Sequence, residues 1–244
     1  MNEIQNIINN LNLTINTNFK KNKINYINDS ADTLLITKIF TQSKQKLLIV
    51  ARNIFEANRI QSELDFFAPD LSVEIFHDNE VIPYERISPS NNLTASRINT
   101  LWNILNDKLD IVIIQGNIVQ NILPPPSFIL SKSFNFKVGD HLSIITLKHN
   151  LIQSEYVMVE KVMAMGEFAI RGGIIDLMLM GQKDLIRIEL FHDEIESLKY
   201  IDIDSNKTIS NVQFIQIFPT KEYPIDKESL DLLSSKLQEY FISL

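Results

Sequence analysis

The sequence predicts an α/β fold in two parts, a section with a parallel sheet followed by a small α+β section. Residues 30–115 alternate between helical and strand patterns, and the strand patterns at 46–51 and 110–115 are continuously apolar. Strands of a parallel sheet that is covered on both faces have this composition. The triple proline Pro124–Pro126 ends the section, because proline neither continues a helix nor donates to a strand ladder. Short strand patterns with one helical pattern follow, which is typical of a small α+β domain.

The first section contains three amphipathic helix patterns. "SADTLLITKIFTQSK" places Leu34, Leu35, Ile39 and Phe40 near one face, and "NIFEANRIQSELDFF" ends before Pro69. "TASRINTLWNILND" is the third, for which we expect Thr94 to be the N-cap. "SVEIFH", at 72–77, alternates like a strand and adds a further strand to the predicted sheet.

The second section contains most of the predicted strands. One helix is expected at 143–154, and another at 226–243 after the break that Pro219 and Pro224 mark. The predicted strands are 131–138, 158–164, 167–171, 173–180, 185–191, 194–203 and 212–217.

The composition excludes several classes of function. A net charge of −7 argues against nucleic acid as the main partner, since no overall basic field is present. The absence of cysteine excludes disulfides, thiolate nucleophiles and cysteine-based zinc sites, and it fits a cytoplasmic location. No stretch approaches 18 consecutive apolar residues and the N-terminus lacks the apolar core of a signal peptide, so we expect neither a membrane span nor a membrane partner.

No catalytic centre is recognisable, and we expect the chain itself to be no enzyme. A phosphate-binding loop needs glycines and a lysine, but residues 1–115 contain no glycine. Ala31 stands where the tight-turn glycine belongs, Asp32 where the lysine belongs, and Thr33 follows. We expect this degenerate loop not to bind ATP, because a carboxylate repels phosphate. The histidines are scattered, and "HDE" at 192–194 is most simply a turn, so no metal is expected.

The stretch "GEFAIRGGIIDLML", at 166–179, holds half of the six glycines around a single Arg171. Strand alternation places Arg171 and Arg187 on the face opposite the apolar one, together with Phe191. Arginine beside an exposed aromatic is the composition of a protein–protein hot spot, with glycines shaping the hairpin that presents it.

Simpler interpretations of these three residues stay open. Either arginine could be a solvated charge paired with Glu167 or Glu189 across the sheet. Phe191 could pack under a neighbouring loop. Glu189, Asp193 and Glu194 would be rim residues of a binding patch at best.

Three segments together resemble the N-terminal module of the bacterial transcription-repair coupling factor (Mfd) family, which is homologous to part of the excinuclease subunit UvrB. The segments are "IPYERISPSNNLTASRINTLWNIL" (82–105), "GEFAIRGGIIDLMLMG" (166–181) and "IRIELFHDEIESLKYIDIDSNKT" (186–208). Their order and spacing extend the resemblance over roughly residues 20–240. The degenerate "NDSADT" loop favours the coupling factors over UvrB, which keeps a working loop.

The resemblance implies a fold, a division into domains and a partner. Residues 1–127 would be the first part of a RecA-like domain, 128–218 an inserted α+β domain that binds UvrA, and 219–244 the start of the returning segment. The arginines and the phenylalanine at the matching positions, Arg171, Arg187 and Phe191, would contact UvrA. The chain would thus be a non-catalytic UvrA-recruiting adaptor of transcription-coupled nucleotide excision repair.

The resemblance also implies what this chain lacks. Members of the family carry an RNA polymerase-interacting domain and an ATP-driven DNA translocase motor further on, so RNA polymerase, DNA, ATP and Mg would be partners and cofactors of those parts alone. We therefore expect the chain to be a truncated module. The alternatives are a UvrB-like ATPase subunit of the excinuclease, which would need a working phosphate loop, and a decayed gene remnant that folds poorly.

Overall fold

A computed structural model describes residue 24 and residues 29–81, 89–224 and 227–242. The chain forms two compact units, one of residues 1–78 with 103–121 and one of residues 79–102 with 122–244. The predicted division at residues 127 and 218 stays a prediction. Parallel and antiparallel sheets are both present, so the α/β class is confirmed. No helix within the described ranges is long and apolar enough to cross a membrane.

The first unit is built on a parallel sheet of three strands, as the sequence predicts. The strand order is β1-β3-β2, with the central strand β3 parallel to both neighbours. Its elements are α1 (Ala31–Ser43), β1 (Leu47–Ala51), α2 (Ile54–Phe67), β2 (Val73–Phe76), β3 (Ile111–Gln115) and a 3-10 helix (Gly116–Gln120).

One face of this sheet carries the core of the first unit. Ile111 and Ile113 of β3 are fully buried in one apolar cluster with Ala57, Ile60 and Leu64, which the helical repeat places on one face of α2. On the edge strand β1, in contrast, Leu48 and Val50 are 64% and 56% exposed. The prediction that β1 is covered on both faces is therefore wrong for the described residues, because a continuously apolar strand does not by itself specify what lies on its second face.

Helix α3 (Asn91–Leu105) begins three residues before the predicted cap. The Leu93 backbone N–H donates to Ser90 Oγ at 3.2 Å, and the Thr94 N–H donates to the Ser90 carbonyl oxygen. Ser90 therefore caps the helix, and the prediction of Thr94 is wrong. The polar residues Asn91 and Asn92 precede the apolar pattern, which made the helix look shorter in the sequence.

The second unit is built on an antiparallel sheet with a short parallel strand at one edge. The six-stranded sheet has the order β10-β9-β8-β7-β6-β5, in which only β5 and β6 are parallel, and β11 pairs with β4 separately. Its elements after α3 are α4 (Pro126–Lys132), β4 (Phe134–Lys137), α5 (Ile144–Gln153), β5 (Val157–Met158), β6 (Glu167–Arg171), β7 (Ile174–Leu177), β8 (Leu185–Phe191), β9 (Glu194–Ile201), β10 (Thr208–Val212), β11 (Phe214–Ile217) and α6 (Lys227–Ile242).

The structure corrects the predicted elements of this unit in three places. Pro126 occupies the first turn of helix α4, where its missing N–H costs nothing, so the triple proline begins a helix and the strand expected at 131–138 starts only at residue 134. The strand expected at 158–164 is reduced to β5. The strand expected at 212–217 is two strands that pair with different partners, β9 and β4.

The face of the six-stranded sheet that packs against α5 is here called the core face, and the opposite face is here called the outer face. The core face joins α5 in one cluster, in which Leu147 and Leu151 of the helix and Ile175, Ile186 and Ile188 of the sheet are all fully buried. The outer face follows from the strand alternation and carries Arg171, Ile174, Asp176, Arg187, Glu189 and Phe191. This face positions the candidate site.

Candidate partner-binding face

The hairpin of β6 and β7 presents Arg171, and two glycines shape its turn. Gly172 has a φ of +60°, a conformation that residues with a Cβ adopt at a cost. At Gly173 the constraint is space, since a Cβ there would lie 2.9 Å from the Leu190 carbonyl oxygen. The Leu190 N–H in turn donates to the Gly173 carbonyl oxygen at 2.8 Å. The glycines thus let the turn lie directly against strand β8.

The strand register brings the predicted site residues onto one surface. Arg171 is paired with Ile174, and Ile174 with Glu189 on the next strand, so these three side chains lie side by side on the outer face. Arg187 lies two residues before Glu189 on β8 and Phe191 two residues after it, so all three side chains point to the same face. Arg187 and Phe191 are therefore about 13 Å apart along the strand.

The Arg187 guanidinium is held in a fixed orientation by a buried carboxylate. Its Nε donates to Asp176 Oδ1 at 2.7 Å and its Nη2 to Asp176 Oδ2 at 3.0 Å, which is the bidentate fork geometry. Nη2 also donates to Asn206 Oδ1 at 3.2 Å. The hydrogen bonds to Asp176 raise the pKa of Arg187 above its ordinary value. Arg187 is half-buried and its direction is set before any partner arrives.

Arg171 is the more accessible of the two arginines, with 58% of its side chain exposed. Its Nη2 donates to the Glu160 carbonyl oxygen, and its Nη1 lies 4.0 Å from Asp176 Oδ2. Both arginines therefore share one carboxylate, but Arg171 touches it only at the edge of ion-pair distance and keeps donors free for a partner.

Phe191 is 65% exposed at the end of β8. Its ring meets the ring of His192 edge to face, with the centroids 4.6 Å apart. His192 has a φ of +55° in the tight turn between β8 and β9, so the predicted turn is confirmed for His192 and Asp193, while Glu194 already begins β9. The alternative in which Phe191 packs under a loop is wrong, and a large apolar ring faces solvent on the same sheet face as the two arginines.

The ion-pair partners suggested by the sequence are wrong. Glu167 accepts the backbone N–H groups of Met163 and Ala164, and Glu189 pairs with Lys199, whose hydrogen bond lowers the pKa of the Glu189 carboxyl. Sequence reasoning missed Asp176, the carboxylate that both arginines share. The signal was present, because Asp176 is the one acidic residue within the apolar run "GGIIDLML" and falls on the same alternation as Arg171.

At the segment predicted to be a degenerate phosphate loop, carboxylates lie at the N-terminal turn of α1. The Asp32 carboxylate accepts the Thr33 N–H at 2.7 Å and a bidentate pair from Arg59 of α2, at 3.1 and 2.6 Å. Glu63 accepts hydrogen bonds from Thr33 Oγ1, Ser30 Oγ and Arg59 Nη1 at 2.5, 2.9 and 2.9 Å.

Ala31, Asp32 and Thr33 thus form the first turn of α1, with two carboxylates around it. Hydrogen bonds from Arg59 lower the pKa of the Asp32 carboxyl, so it is ionised at neutral pH. A helix N-terminus attracts negative charge, and in this unit the chain's own side chains supply it. No cluster of three or more potential metal ligands is found in the parts of the chain that the structure describes.

Comparisons with known proteins point to one family. The sequence model of the UvrB interaction domain family matches residues 134–223, which include β4 to β11 and thus the whole outer face. The chain is 30% identical to the transcription-repair-coupling factor of Haemophilus influenzae over 214 residues, and 30% identical to that of Escherichia coli over 212 residues. The protein of the same name from Bacillus subtilis is 28% identical over 202 residues.

These matches cover 86%, 87% and 83% of this chain, but only 18%, 18% and 17% of the relatives. The chain thus spans less than a fifth of the length of the relatives that it matches. Residues 134–223 therefore belong to the UvrB interaction domain family, within a chain that is related over most of its length to the transcription-repair-coupling factors.

Proposed function

We propose that this chain is a docking module that recruits UvrA in transcription-coupled nucleotide excision repair, through the outer face of its six-stranded sheet. The relatives' name supports the pathway, and the resemblance to coupling factors and to UvrB supports UvrA as the partner. The contacts with RNA polymerase and DNA, and the use of ATP and Mg by a translocase motor, belong in this proposal to parts of the relatives that lie outside the match.

One observation carries the proposal. Within the UvrB interaction domain, Arg171, Arg187 and Phe191 share one sheet face, on which one arginine is exposed, the other is oriented by a buried carboxylate, and the phenylalanine is 65% exposed. An arginine fork provides directed hydrogen bonds to carboxylates, and a phenylalanine provides apolar area at low entropy cost. Interfaces concentrate their binding energy in a few anchors of these types.

The test is the affinity of the purified chain for purified UvrA, measured by titration calorimetry for the wild type, Arg171→Ala, Arg187→Ala and Phe191→Ala. We expect each variant to lose about 2 kcal/mol of binding free energy, roughly thirtyfold in Kd. The matched control is Lys148→Ala, which removes a charged side chain from α5 on the core side of the sheet and should bind like the wild type.

Each variant must first show the same cooperative melt as the parent. A wild-type chain that melts cooperatively but binds no UvrA, or that binds UvrB instead, would overturn the proposal. A wild-type chain that does not unfold cooperatively would support the alternative that the chain is a decayed gene remnant. Equal affinities for all four chains and the control would move the docking site away from the outer face.

We also propose that the first unit is a RecA-like domain that binds no nucleotide. The parallel order β1-β3-β2 supports the fold, and the carboxylates of Asp32 and Glu63 at the start of α1 support the loss of binding, since both repel phosphate. Fluorescent ATP analogues should not bind with Mg present. Saturable binding, or ATP hydrolysis by the purified chain, would favour a UvrB-like ATPase.

A further inference from the structure

The outer face contains a pocket of about 200 Å³ beside the two arginines. Its floor is apolar, formed by Val162, Leu185 and Ile201, which are 3%, 6% and 2% exposed. A cavity of roughly 150 Å³ takes up a benzene-sized group, so this pocket has room for one side chain. The polar residues that line it are Lys161, Arg171, Asp176, Arg187, Asp204 and Asn206.

The charges around the pocket are unequal. Three cations, Lys161, Arg171 and Arg187, face two carboxylates, and one of these, Asp176, is already bound bidentately by Arg187. Lys161 is exposed and forms no ion pair with any residue that the structure describes, and Asp204 is likewise not in ion-pair contact within the described ranges. The pocket is thus locally cationic in a chain whose net charge is −7.

The apolar floor and the cations at its edge fit a carboxylate on an aliphatic stem. A carboxylate held between an ammonium and a guanidinium gains charge-assisted hydrogen bonds from both. An aliphatic stem behind that carboxylate would lie against the apolar floor. Glutamate or aspartate has both parts. A basic side chain would bring a like charge to Lys161 and Arg171, and a purely apolar one would leave Lys161 without an ion-pair partner among the described residues in a partly desolvated site, so both are unfavourable.

We propose that this pocket receives one acidic side chain of the docking partner, with Lys161 and Arg171 as its ligands and Arg187 held beside them by Asp176. Lys161 is then a specificity-determining residue of the interface. The proposal rests on the proposed function, because it names the chemistry that UvrA presents to this face.

The first test compares matched charge changes at Lys161 and Lys148 in titrations with UvrA. We expect Lys161→Gln to weaken binding about threefold and Lys161→Glu at least about tenfold, since a like charge opposite the partner's carboxylate repels it. The salt dependence of log Kd should be less steep for Lys161→Gln than for the wild type. Lys148→Gln and Lys148→Glu, on the core side, should match the wild type in both respects.

The second test detects the contact directly. A carbodiimide joins a lysine amine to a carboxylate without a spacer, so treatment of the complex should produce a cross-link from Lys161 to an aspartate or glutamate of UvrA, found by mass spectrometry. Lys161→Arg removes the reactive amine but keeps the charge, and it should abolish this cross-link while leaving the affinity near that of the wild type.

The outcomes separate the two proposals. If the wild type binds UvrA and Phe191→Ala weakens binding, but Lys161→Glu matches Lys148→Glu and no cross-link forms at Lys161, the pocket proposal is overturned and the docking function stands. If the folded wild type binds no UvrA, both are overturned.

Discussion

At the scale of single residues, Asp176 organises the candidate docking face without being exposed on it. Its side chain is 9% exposed, while that of Arg187, which it binds, is 19% exposed and that of Arg171 is 58% exposed. A half-buried guanidinium with a fixed counter-ion loses little rotational freedom when a partner binds. In the proposed interface, Asp176 is therefore a positioning residue for Arg171 and Arg187.

Asp176→Asn should weaken UvrA binding about tenfold, because the amide keeps the shape but loses the charge that holds Arg187. We also expect a loss of roughly 2 kcal/mol in the free energy of unfolding, since an almost buried ion pair is broken. Calorimetric titration and chemical denaturation measure the two effects. Asp65→Asn, an exposed change on α2 of the first unit, is the matched control. Unchanged affinity in Asp176→Asn would remove its positioning role.

Asp32 provides a pH-dependent test in the first unit. Because Arg59 lowers the pKa of this carboxyl in the folded state, the stabilisation is fully present above the unfolded pKa of about 3.9 and is lost as the pH falls through the folded pKa. We expect Arg59→Gln to raise the titration midpoint of the Asp32 carboxyl, followed by NMR. The same midpoint in both proteins would show that the Asp32–Arg59 pair does not form in solution.

At the scale of elements, the β6–β7 hairpin depends on its two glycines for different reasons. Gly173→Ala would place a methyl group 2.9 Å from the rigid Leu190 carbonyl oxygen, whereas the space around Gly172 is open and only its φ of +60° opposes a side chain. We expect Gly173→Ala to cost about 3 kcal/mol of stability and Gly172→Ala about 1 kcal/mol. Urea denaturation measures both, and the reverse order would contradict this packing.

The buried ion pair of Arg97 and Glu222 joins helix α3 to the segment after β11. The two side chains are 0% and 7% exposed, with Nε and Nη2 donating to the carboxylate at 2.8 and 2.6 Å. Glu222→Gln should destabilise the second unit by about 3 kcal/mol, because a buried guanidinium loses its counter-charge. The double change Arg97→Met with Glu222→Leu should recover most of the lost stability, measured by thermal unfolding. If the double variant is no more stable than Glu222→Gln, the unpaired guanidinium is not the cause of the loss.

The sequence predicted well those elements that are specified by a local pattern of apolar and polar residues. The alternation in 167–171 and 185–191 located β6 and β8, placed Arg171, Arg187 and Phe191 on one face, and made the glycine pair a turn. The same alternation put Asp176 on that face, but its pairing with Arg187 depends on strand register. That Lys161 lines the same pocket as the arginines depends on the path of a loop, which the sequence pattern does not specify. Pro126 was misjudged for a local reason, since proline also begins helices.

At the scale of the whole molecule, an acidic chain presents a local cationic face. The net charge of −7 disfavours general attraction to an acidic partner, so the arginines and Lys161 must act at short range, where geometry selects the partner. We therefore expect the docking site to be confined to the outer face of the sheet, while the core face and α5 stay free of contact.

The absence of cysteine allows the most direct test of that claim. Ile174 on the outer face and Ile152 on α5 are 41% and 47% exposed, so Ile174→Cys and Ile152→Cys introduce thiols of similar accessibility on opposite sides of the sheet. The measurement is the rate at which a maleimide alkylates each thiol with and without saturating UvrA. We expect UvrA to slow alkylation of the thiol introduced at position 174 strongly and that at position 152 not at all. Equal rates with and without UvrA at position 174, or protection at position 152 alone, would contradict docking through this face.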